Sequence, residues 1–430
     1  MLEAVKGIEF LKAELHELML RYSQIGRSSD TGVTRLAASR EDGEARDFLC
    51  YWFRRHNIEI QIDEVGNVFG VIDLKQGDGA LYCGSHLDSQ VNGGRFDGTY
   101  GVVAACLALR ALREEVSQGR VRSSVRYLVV VNWTNEEGAR FQPSLLGSSY
   151  FTGKIPLETA LGYEDGDGIS VGAALAAIGY AGGKSDLPEP RWYVETHVEQ
   201  DSKLEDAGVS VGVVTECWRA RKIHLQFLGQ ADHTGPTPME KRRDALRAAS
   251  LMIAAVSEHA LSTDGQLYAS VGRIVVEPNS PNVVPTSAAI WIELRSTSDQ
   301  LLDTAEAWVK KKIEEVRDFT GCSDDVFDVV RREAEQFDPN GVALAKSALD
   351  QAGLEPVMLK TVAGHDAVAI QREYPSVLLF VPSVNGYSHS PEELTLDEDL
   401  ENGLAGLVAV LKALLSAPDH DNTQTTSEAS

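Results

Sequence analysis

Residues 80–115 read ALYCGSHLDSQVNGGRFDGTYGVVAACLALRALREE. The segment begins with an apolar run at Ala80–Ser85, passes through a glycine-rich turn, and predicts a helix from about Thr99 to Glu115. A second apolar run, Val125–Trp133, has the length and β-branched content of a buried strand. A strand, a helix and a further strand in this order predict an α/β layer architecture with a largely parallel sheet.

The same alternation continues on both sides of this segment. Upstream, the apolar spacing predicts helices over 8–22 and 42–56 and a strand at Val65–Leu74. Far downstream, a helix is predicted at Ala343–Ala352 and a strand at Val377–Ser383. The α/β pattern therefore frames a central region of different character.

That central region has the element order β-α-β-β-α-β, typical of a split βαβ, ferredoxin-like domain. Its predicted elements are Arg221–Leu228, Lys241–Leu261, Gln266–Val276, Ala288–Ser296, Asp299–Thr320 and Val326–Arg332. We therefore expect a ferredoxin-like domain at 213–330, inserted into a discontinuous α/β domain formed by 1–212 and 331–416. The polar residues 417–430 predict a disordered tail.

Composition limits the kinds of partner. The 430 residues include 40 Lys and Arg against 64 Asp and Glu, a net charge of −24, which argues against nucleic-acid and anionic-membrane partners. No apolar run approaches the roughly 18 residues of a membrane helix, and the first twenty residues do not resemble a secretory signal. Five scattered cysteines without a CxxC motif are typical of reduced thiols. The expected location is the cytoplasm.

Polar residues with possible catalytic roles follow the predicted strands. His86 and Asp88 end the first strand of the opening segment, and Asp97 lies between glycines eleven residues after His86. An isolated HxD is more often structural, and a turn aspartate often caps a helix. Glu136 and Glu137 follow Val125–Trp133 directly, at a strand end where α/β proteins bind ligands, although a solvated acidic turn is the alternative.

Two further histidines occupy similar positions. His197 lies within a predicted strand region, and His389 follows the strand at Val377–Ser383. Each alone is more simply a hydrogen-bonded histidine. Three histidines with carboxylates, each beside a strand end or glycine-rich turn, meet the requirements of a two-metal site with a bridging carboxylate and a nearby general base.

The chain resembles the hydantoinase/carbamoylase family of amidohydrolases, which is related to aminoacylases and dinuclear zinc carboxypeptidases. The strings that carry this resemblance are GSHLDSQVNGGRFDGTYGV, TNEEGARFQPSLLGSSYFTG, HVEQ, ADHTGPTPMEKRRDAL, PNSPNVVP, AGHDA and VPSVNGYSHSPEE. They occur in order between about residues 20 and 412. The resemblance implies a metallopeptidase-like three-layer catalytic domain with an inserted ferredoxin-like lid and dimerisation domain.

The resemblance also implies a set of metal ligands. One divalent ion is expected on His86, Asp97 and His197, and a second on Asp97, Glu137 and His389, so that Asp97 bridges. Asp88 is expected to orient His86 through its free ring nitrogen, and Glu136 to act as general base on the bridging water. The two ions per subunit are expected to be zinc, with manganese, cobalt or nickel chemically acceptable.

Substrate contacts are implied in both domains. His233 is expected to reach the active site of the other subunit of a homodimer and to stabilise the oxyanion, which requires a donor where charge develops. Arg295 and Asn282 resemble a clamp for the substrate carboxylate. The remaining expected contacts are Gln200, Gly364 and His365. Without the resemblance, His233 reads as a solvated loop residue and Arg295 as an exposed arginine.

The expected activity is hydrolysis of a linear C–N bond in a small anionic N-carbamoyl or ureido carboxylate. A deacylase of N-acyl amino acids or a dipeptidase on the same ligands is the first alternative. A non-catalytic binding protein on the same scaffold would lack a ligand or the base, and none is missing. Departures from the family pattern at Thr234, Pro236, Asp201 and Thr361-Val362 lie close to expected substrate contacts, so they leave the substrate open.

Overall fold

The computed structural model describes residues 2–417, so all but one residue of the predicted tail lies outside the described residues. Within this range the chain divides into two compact units. The first unit comprises the chain up to Glu216 together with the chain from Gln336 onward, and the second unit is Cys217–Glu335. The second unit is therefore an insertion in the first.

Twelve α-helices and thirteen strands are formed by the described residues. The helices are α1 (Leu2–Tyr22), α2 (Arg40–Arg55), α3 (Thr99–Ser117), α4 (Leu146–Phe151), α5 (Leu157–Gly162), α6 (Val171–Ala177), α7 (Lys203–Ala207), α8 (Ala245–Leu261), α9 (Asp299–Thr320), α10 (Pro339–Gln351), α11 (Asp366–Ile370) and α12 (Asp397–Ser416). The strands are β1 (Glu59–Ile62), β2 (Val68–Asp73), β3 (Ala80–His86), β4 (Tyr127–Trp133), β5 (Pro190–Val198), β6 (Gly212–Cys217), β7 (Arg219–Leu228), β8 (Tyr268–Glu277), β9 (Ser287–Ser296), β10 (Ser323–Arg332), β11 (Glu335–Gln336), β12 (Val357–Thr361) and β13 (Ser376–Val381).

The first unit is built on a nine-stranded mixed sheet. Its main strand order is β1-β2-β4-β3-β5-β13-β6-β11, and β12 pairs with β6. The four central strands β4, β3, β5 and β13 are mutually parallel. Strands β2 and β6 join this parallel centre in antiparallel orientation. The prediction of a largely parallel sheet therefore holds for the centre, and the flanking strands make the sheet mixed.

Helices complete the layers around this sheet. Helix α12 contacts α1, α3 and α10, helix α1 also contacts α3, and α3 and α12 contact the central strands. Helix α11 packs with α4 and also contacts β5 and β13. All seven residues of β3 and all six of β13 are buried, because parallel central strands are covered on both faces.

The second unit is a four-stranded antiparallel sheet in the order β10-β7-β9-β8. Helices α8 and α9 pack against this sheet, and Ile223, Phe227 and Ile290 lie in the shared core. The predicted order β-α-β-β-α-β is confirmed. Helix α8 begins four residues later than predicted, because the side chain of Asp244 caps it by accepting the N–H of Arg247.

No helix in residues 2–417 combines the length and apolar character needed to cross a membrane.

Candidate metal centre and active site

The predicted site residues of the first unit lie at one edge of its sheet. The paired registers place His86 opposite Trp133 and Phe380 opposite His197, so the central strands end at the same level. Carboxyl ends of parallel strands are where open α/β sheets bind ligands. The loops that carry Glu136, Glu137 and His389 leave from this edge, and Asp97 lies just before α3.

One group of ligand atoms is formed by His86, Asp97 and His197. The Nε2 atom of His197 lies 3.0 Å from Oδ1 of Asp97, and Nε2 of His86 lies 3.6 Å from the same oxygen. The two imidazole rings are stacked, with their Nε2 atoms 3.4 Å apart. All three side chains are buried, with 4% exposure or less.

A second group uses the other oxygen of the same aspartate. The Nε2 atom of His389 lies 3.3 Å from Oδ2 of Asp97 and 3.3 Å from Oε2 of Glu137. Asp97 therefore presents one carboxylate oxygen to each group. This division is the geometry that a bridging carboxylate requires.

Main-chain carbonyls orient the two buried histidines. Nδ1 of His86 is 2.9 Å from the carbonyl oxygen of Asp88, and Nδ1 of His197 is 3.0 Å from that of Val198. A proton on each Nδ1 leaves both Nε2 atoms as acceptors facing Asp97. Asp88 thus contacts the predicted ring nitrogen, but through its carbonyl, because its side-chain carboxylate is used elsewhere.

The carboxylate of Asp88 instead fixes the turn that carries the two glutamates. Its oxygens accept the main-chain N–H groups of Glu136 and Glu137, each at 3.2 Å, whereas its nearer oxygen is 3.7 Å from His86 Nδ1. The predicted contact of Asp88 with the free ring nitrogen of His86 is made by the main-chain carbonyl, with the carboxylate farther away. The carboxylate holds the turn after β4, and only the backbone of Asp88 holds the ring.

The electrostatics of the group favour a bound cation. Burial raises the pKa of Glu136 well above its usual range, and Asp366 and Glu137 raise it further. Burial alone would lower the pKa of His86, but Glu136, Asp97 and Asp88 raise it well above its usual range. If both imidazoles were positively charged, their Nε2–H groups would face each other at 3.4 Å and repel. A divalent ion between them therefore compensates the negative charge of the carboxylates better than two added protons. The mixed oxygen and nitrogen donor set fits zinc or a neighbouring divalent transition metal.

Glycine is required where the Asp97 loop meets His86. Gly98 has φ +62°, a left-handed conformation that glycine adopts without strain. A Cβ atom at this position would lie 2.4 Å from the His86 imidazole. The residue after Asp97 therefore allows the loop to approach the ring closely enough for both side chains to face one point.

Asn67 and Asn135, which the sequence analysis does not single out, shape the turn before Glu136. Asn135 has φ +55°, and its side-chain amide donates to the carbonyls of Phe141 and Pro143. Asn67 accepts the N–H of Thr134 and donates to Asp63 and to the carbonyl of Gly147. A buried asparagine at the start of a strand carries no signal of its own, so only the folded contacts reveal this support.

Gln90 and Glu393 support the metal-ligand candidates directly and are also absent from the predicted set. Gln90 donates its main-chain N–H and its side-chain amide to the two oxygens of Glu137, at 3.1 and 2.8 Å. The carboxylate of Glu393 accepts the N–H groups of Phe96 and Asp97. Both residues stand inside the strings that carry the family resemblance, and that context is their only sequence signal.

The predicted substrate contacts of the first unit lie beside these groups. The amide nitrogen of Gln200 is 3.4 Å from Asp97 Oδ2 and 3.3 Å from His389 Nε2. The imidazole of His365 packs edge-on against His197, with centroids 4.5 Å apart, and Gly364 directly precedes it. His365 also belongs to a third possible ligand group with Glu195 and His197. The carboxylate of Glu195, however, already accepts the hydroxyl of Ser85 and the N–H of Ala367, both at 2.7 Å.

The predicted substrate contacts of the second unit occupy two separate places in that unit. His233 and Asn282 are exposed on adjacent loops. Main-chain interactions join these loops: His233 forms an isolated antiparallel β-bridge with Val283, and the N–H of Thr234 donates to the carbonyl of Asn282. Arg295 lies near the other end of β9, eight residues beyond Ser287, where it donates to Glu293 at 2.9 Å.

The eight residues from Ser287 to Arg295 span about 27 Å along the strand, at about 3.4 Å per residue. Asn282 lies in the loop before β9 and Arg295 near its end, so the two residues of one chain are at opposite ends of this strand.

A three-layer α/β unit with a ferredoxin-like insertion is the architecture of metallopeptidase-type hydrolases. The chain matches the family model described as peptidase family M20/M25/M40 over residues 83–413, and it belongs to this family.

Among its relatives, an allantoate amidohydrolase of Bacillus subtilis is 32% identical, over 91% of this chain and 95% of the relative. An N-carbamoyl-L-amino-acid amidohydrolase of Paenarthrobacter aurescens is 32% identical, over 94% and 98% respectively. The crystal structure of an amidase of the hydantoinase/carbamoylase family from Burkholderia vietnamiensis has a TM-score of 0.88 at 32% identity, covering 95% of this chain and 98% of that one.

These matches confirm the predicted family, the predicted fold class and the prediction that the chain is a hydrolase.

Proposed function

We propose that the chain hydrolyses a linear C–N bond in a small N-carbamoyl or ureido carboxylate, in the class of N-carbamoyl amino acids, ureidopropionate or allantoate. The observation that carries the proposal is the position of Asp97, whose two oxygens serve two ligand groups while Glu136 lies beside the first group. The names of the relatives, which include allantoate and N-carbamoyl-amino-acid amidohydrolases, support the substrate class.

The residues of the first unit hold two divalent ions in this proposal. His86, Asp97 and His197 bind one, and Asp97, Glu137 and His389 bind the other. Such ions polarise the scissile carbonyl and lower the pKa of water. Zinc suits the donors, and manganese, cobalt or nickel are acceptable alternatives.

Glu136 acts as general base and then as general acid. Its Oε2 lies 3.7 Å from His86 Nε2, and its main-chain N–H is held by Asp88. A carboxylate so placed accepts a proton from the attacking water at its oxygen and returns it to the leaving nitrogen. With a carbamoyl substrate the products are the amino acid, carbon dioxide and ammonia.

In this proposal, residues at the two ends of strand β9 contact the same substrate. Because the two ends of one strand are too far apart for this, the residues come from two chains. Arg295 binds the substrate carboxylate as a bidentate donor, and Gln200, Gly364 and His365 contact the amide. His233, accompanied by Asn282, comes from the other subunit of a homodimer and stabilises the oxyanion. The separation of Asn282 from Arg295 along one chain supports this arrangement in trans.

The second unit offers an edge at which two chains can pair. Strand β8 is an edge strand of ten residues, and its apolar side chains include Ile274 and Val275, exposed by 43% and 39%. Long, exposed, apolar edge strands are templates for pairing with another chain. We place the homodimer contact at β8. The cytoplasm is the proposed location, since the described residues contain no disulfide bond and all five cysteines are buried.

A turnover screen tests the proposed activity. The purified, metal-loaded chain is assayed against N-carbamoyl-α-amino acids, N-carbamoyl-β-alanine, allantoate, N-acyl amino acids and dipeptides, and metal content is measured in parallel. The expected result is about two ions per chain and turnover only of carbamoyl or ureido substrates, lost on chelation. Turnover confined to N-acyl amino acids or dipeptides would instead support the deacylase or dipeptidase alternative.

A further inference from the structure

Glu393 is a buried carboxylate in the segment between His389 and α12. It is only 2% exposed. Its Oε1 accepts two consecutive main-chain N–H groups, from Phe96 at 2.9 Å and from Asp97 at 3.1 Å. The second of these belongs to the residue whose side chain serves both ligand groups. Glu393 thus holds the main-chain N–H of Asp97.

The loop before Asp97 is shaped to receive this carboxylate. A Cβ atom at Gly94 would lie 2.1 Å from Cδ of Glu393. Because no heavy atoms of side chains can approach that closely, the glycine leaves the space that the Glu393 carboxyl occupies. The fit involves the carboxyl itself rather than its aliphatic stem.

The same carboxylate connects the Asp97 loop to the loop that carries His389. The hydroxyl of Ser388 lies 3.4 Å from Asp97 Oδ2 and 3.5 Å from Glu393 Oε2. His389 follows directly, with φ +55°, a left-handed conformation that costs energy in a residue other than glycine. A strained ligand residue needs its surroundings to hold it, and Ser388 and Glu393 are part of those surroundings.

The position is electrostatically costly. Glu393 is buried next to Asp97, whose carboxylate is also buried, and burying neighbouring carboxylates costs free energy. Such a side chain is destabilising unless hydrogen bonds offset the cost of burial. The hydrogen bonds that it makes here all lead to the two loops that carry candidate ligands.

We propose that Glu393 is a positioning residue for the two-metal centre, which fixes the main chain at Asp97 so that one side chain reaches both ligand groups. The residue acts through its acceptor oxygen and touches neither ion nor substrate. This inference rests on the proposed function, because it assigns a role within the same centre.

The test compares metal affinity in three variants. Glu393→Ala removes the acceptor and leaves two buried N–H groups unpaired, so the affinity for Zn²⁺ or Co²⁺ is expected to fall about 10–100-fold. Glu393→Gln keeps an acceptor oxygen and is expected to bind with nearly wild-type affinity. Glu392→Ala, at the exposed neighbouring position, is the matched control. Affinity is measured by chelator competition, and the Co²⁺ absorption spectrum reports ligand geometry.

Gly94→Ala gives an independent approach that leaves Glu393 in place. Its Cβ displaces the carboxyl, so the affinity and the Co²⁺ spectrum are expected to change as in Glu393→Ala. Thermal unfolding of the metal-free variants reports any effect on the fold alone. Wild-type affinity and an unchanged spectrum in Glu393→Ala would overturn the inference, as would an equal loss in Glu393→Gln. A wild-type chain that binds no metal would instead overturn the proposed function.

Discussion

The two units of this chain treat their candidate functional residues in opposite ways. In the first unit, His86, Asp97 and His197 are almost fully buried, with the two histidines at the ends of parallel strands, where main-chain carbonyls hold them, and Asp97 in the loop before α3. In the second unit, His233 and Asn282 are exposed on loops. The first unit therefore contains a preformed cluster, whereas the second presents separate contacts.

This difference is consistent with different roles for the two units, chemistry in the first and substrate contacts in the second. Chemistry that depends on ligands a few ångströms apart requires a rigid scaffold, and parallel strand ends supply one. In the proposed homodimer, the exposed contacts of the second unit would be completed by the partner chain.

The largest effect is expected inside the cluster, at the two adjacent glutamates. Glu136→Gln should lower turnover by about 10²–10⁴-fold while two metal ions remain bound, because only the general base is removed. Glu137→Gln should lose metal instead, since Glu137 belongs to the second ligand group. Steady-state kinetics and metal analysis distinguish the two. Substantial turnover in Glu136→Gln would contradict the assignment of the base.

The next prediction tests whether the second unit acts in trans. His233→Ala and Arg295→Ala chains should each be nearly inactive. When they are mixed one to one and allowed to exchange, half of the dimers are mixed and one of their two sites is intact, so about a quarter of wild-type activity should return. Activity that stays at the level of the single variants would show that both residues serve one site from the same chain.

A smaller effect is expected from the glycine that adjoins Asp97. Gly98→Ala should cost on the order of 3 kcal/mol and weaken metal binding, because the new methyl group meets the His86 imidazole. Gly119→Ala is the matched control, since Gly119 also has a positive φ but no heavy atom near its Cβ position. That control should cost about 1–2 kcal/mol from backbone strain alone. Equal losses in the two variants would show that the close approach to His86 has no consequence.

The smallest effect concerns the pH dependence of stability, through the hydrogen bonds of Asp63 and Asn67 that support the turn before Glu136. Burial raises the pKa of Asp63 to about 7, although hydrogen bonds from Asn67 and Val65 oppose the increase. Between about pH 4 and pH 7 the folded chain retains a proton that the unfolded chain has lost, so stability falls as the pH rises through this window.

Thermal unfolding of the metal-free chain should therefore occur at lower temperature at pH 8 than at pH 5. In Asp63→Asn part of this difference should disappear, because the substituted side chain does not titrate. The comparison of the two pH profiles isolates Asp63 from other buried acids. An identical dependence in both proteins would mean that Asp63 is ionised in the folded state.

Most of the fold follows from the sequence because apolar periodicity reflects burial directly. Helix α9 begins and ends at the residues predicted, since Ser298 caps its start and Gly321 adopts the left-handed conformation that ends it. Strands β1, β6, β11 and β12 and helices α4 to α7, α11 and α12 were not predicted. All of them except α12 have at most seven residues, too few to show a clear periodicity, whereas the twenty-residue α12 was missed in spite of its length.

The site is predictable only in part. His86, Asp97, Glu137, His197 and His389 stand in motifs, and the structure brings them together. Residues that support the site through hydrogen bonds, such as Gln90 and Glu393, cannot be recognised from their spacing in the sequence. The hydrogen bonds of the Asp88 carboxylate were not predictable either. The sequence does not show whether this carboxylate contacts the His86 ring or the N–H groups of Glu136 and Glu137.

The position of β13 has a consequence for synthesis of the chain on the ribosome. This strand lies between β5 and β6 in the sheet, yet it is translated only after the whole second unit. Domains fold largely as they emerge, from the N-terminus onward. We therefore expect the inserted unit to fold first, while the larger sheet still lacks strand β13 between β5 and β6. His389 comes still later, so the candidate metal centre is among the last features of the nascent chain to form.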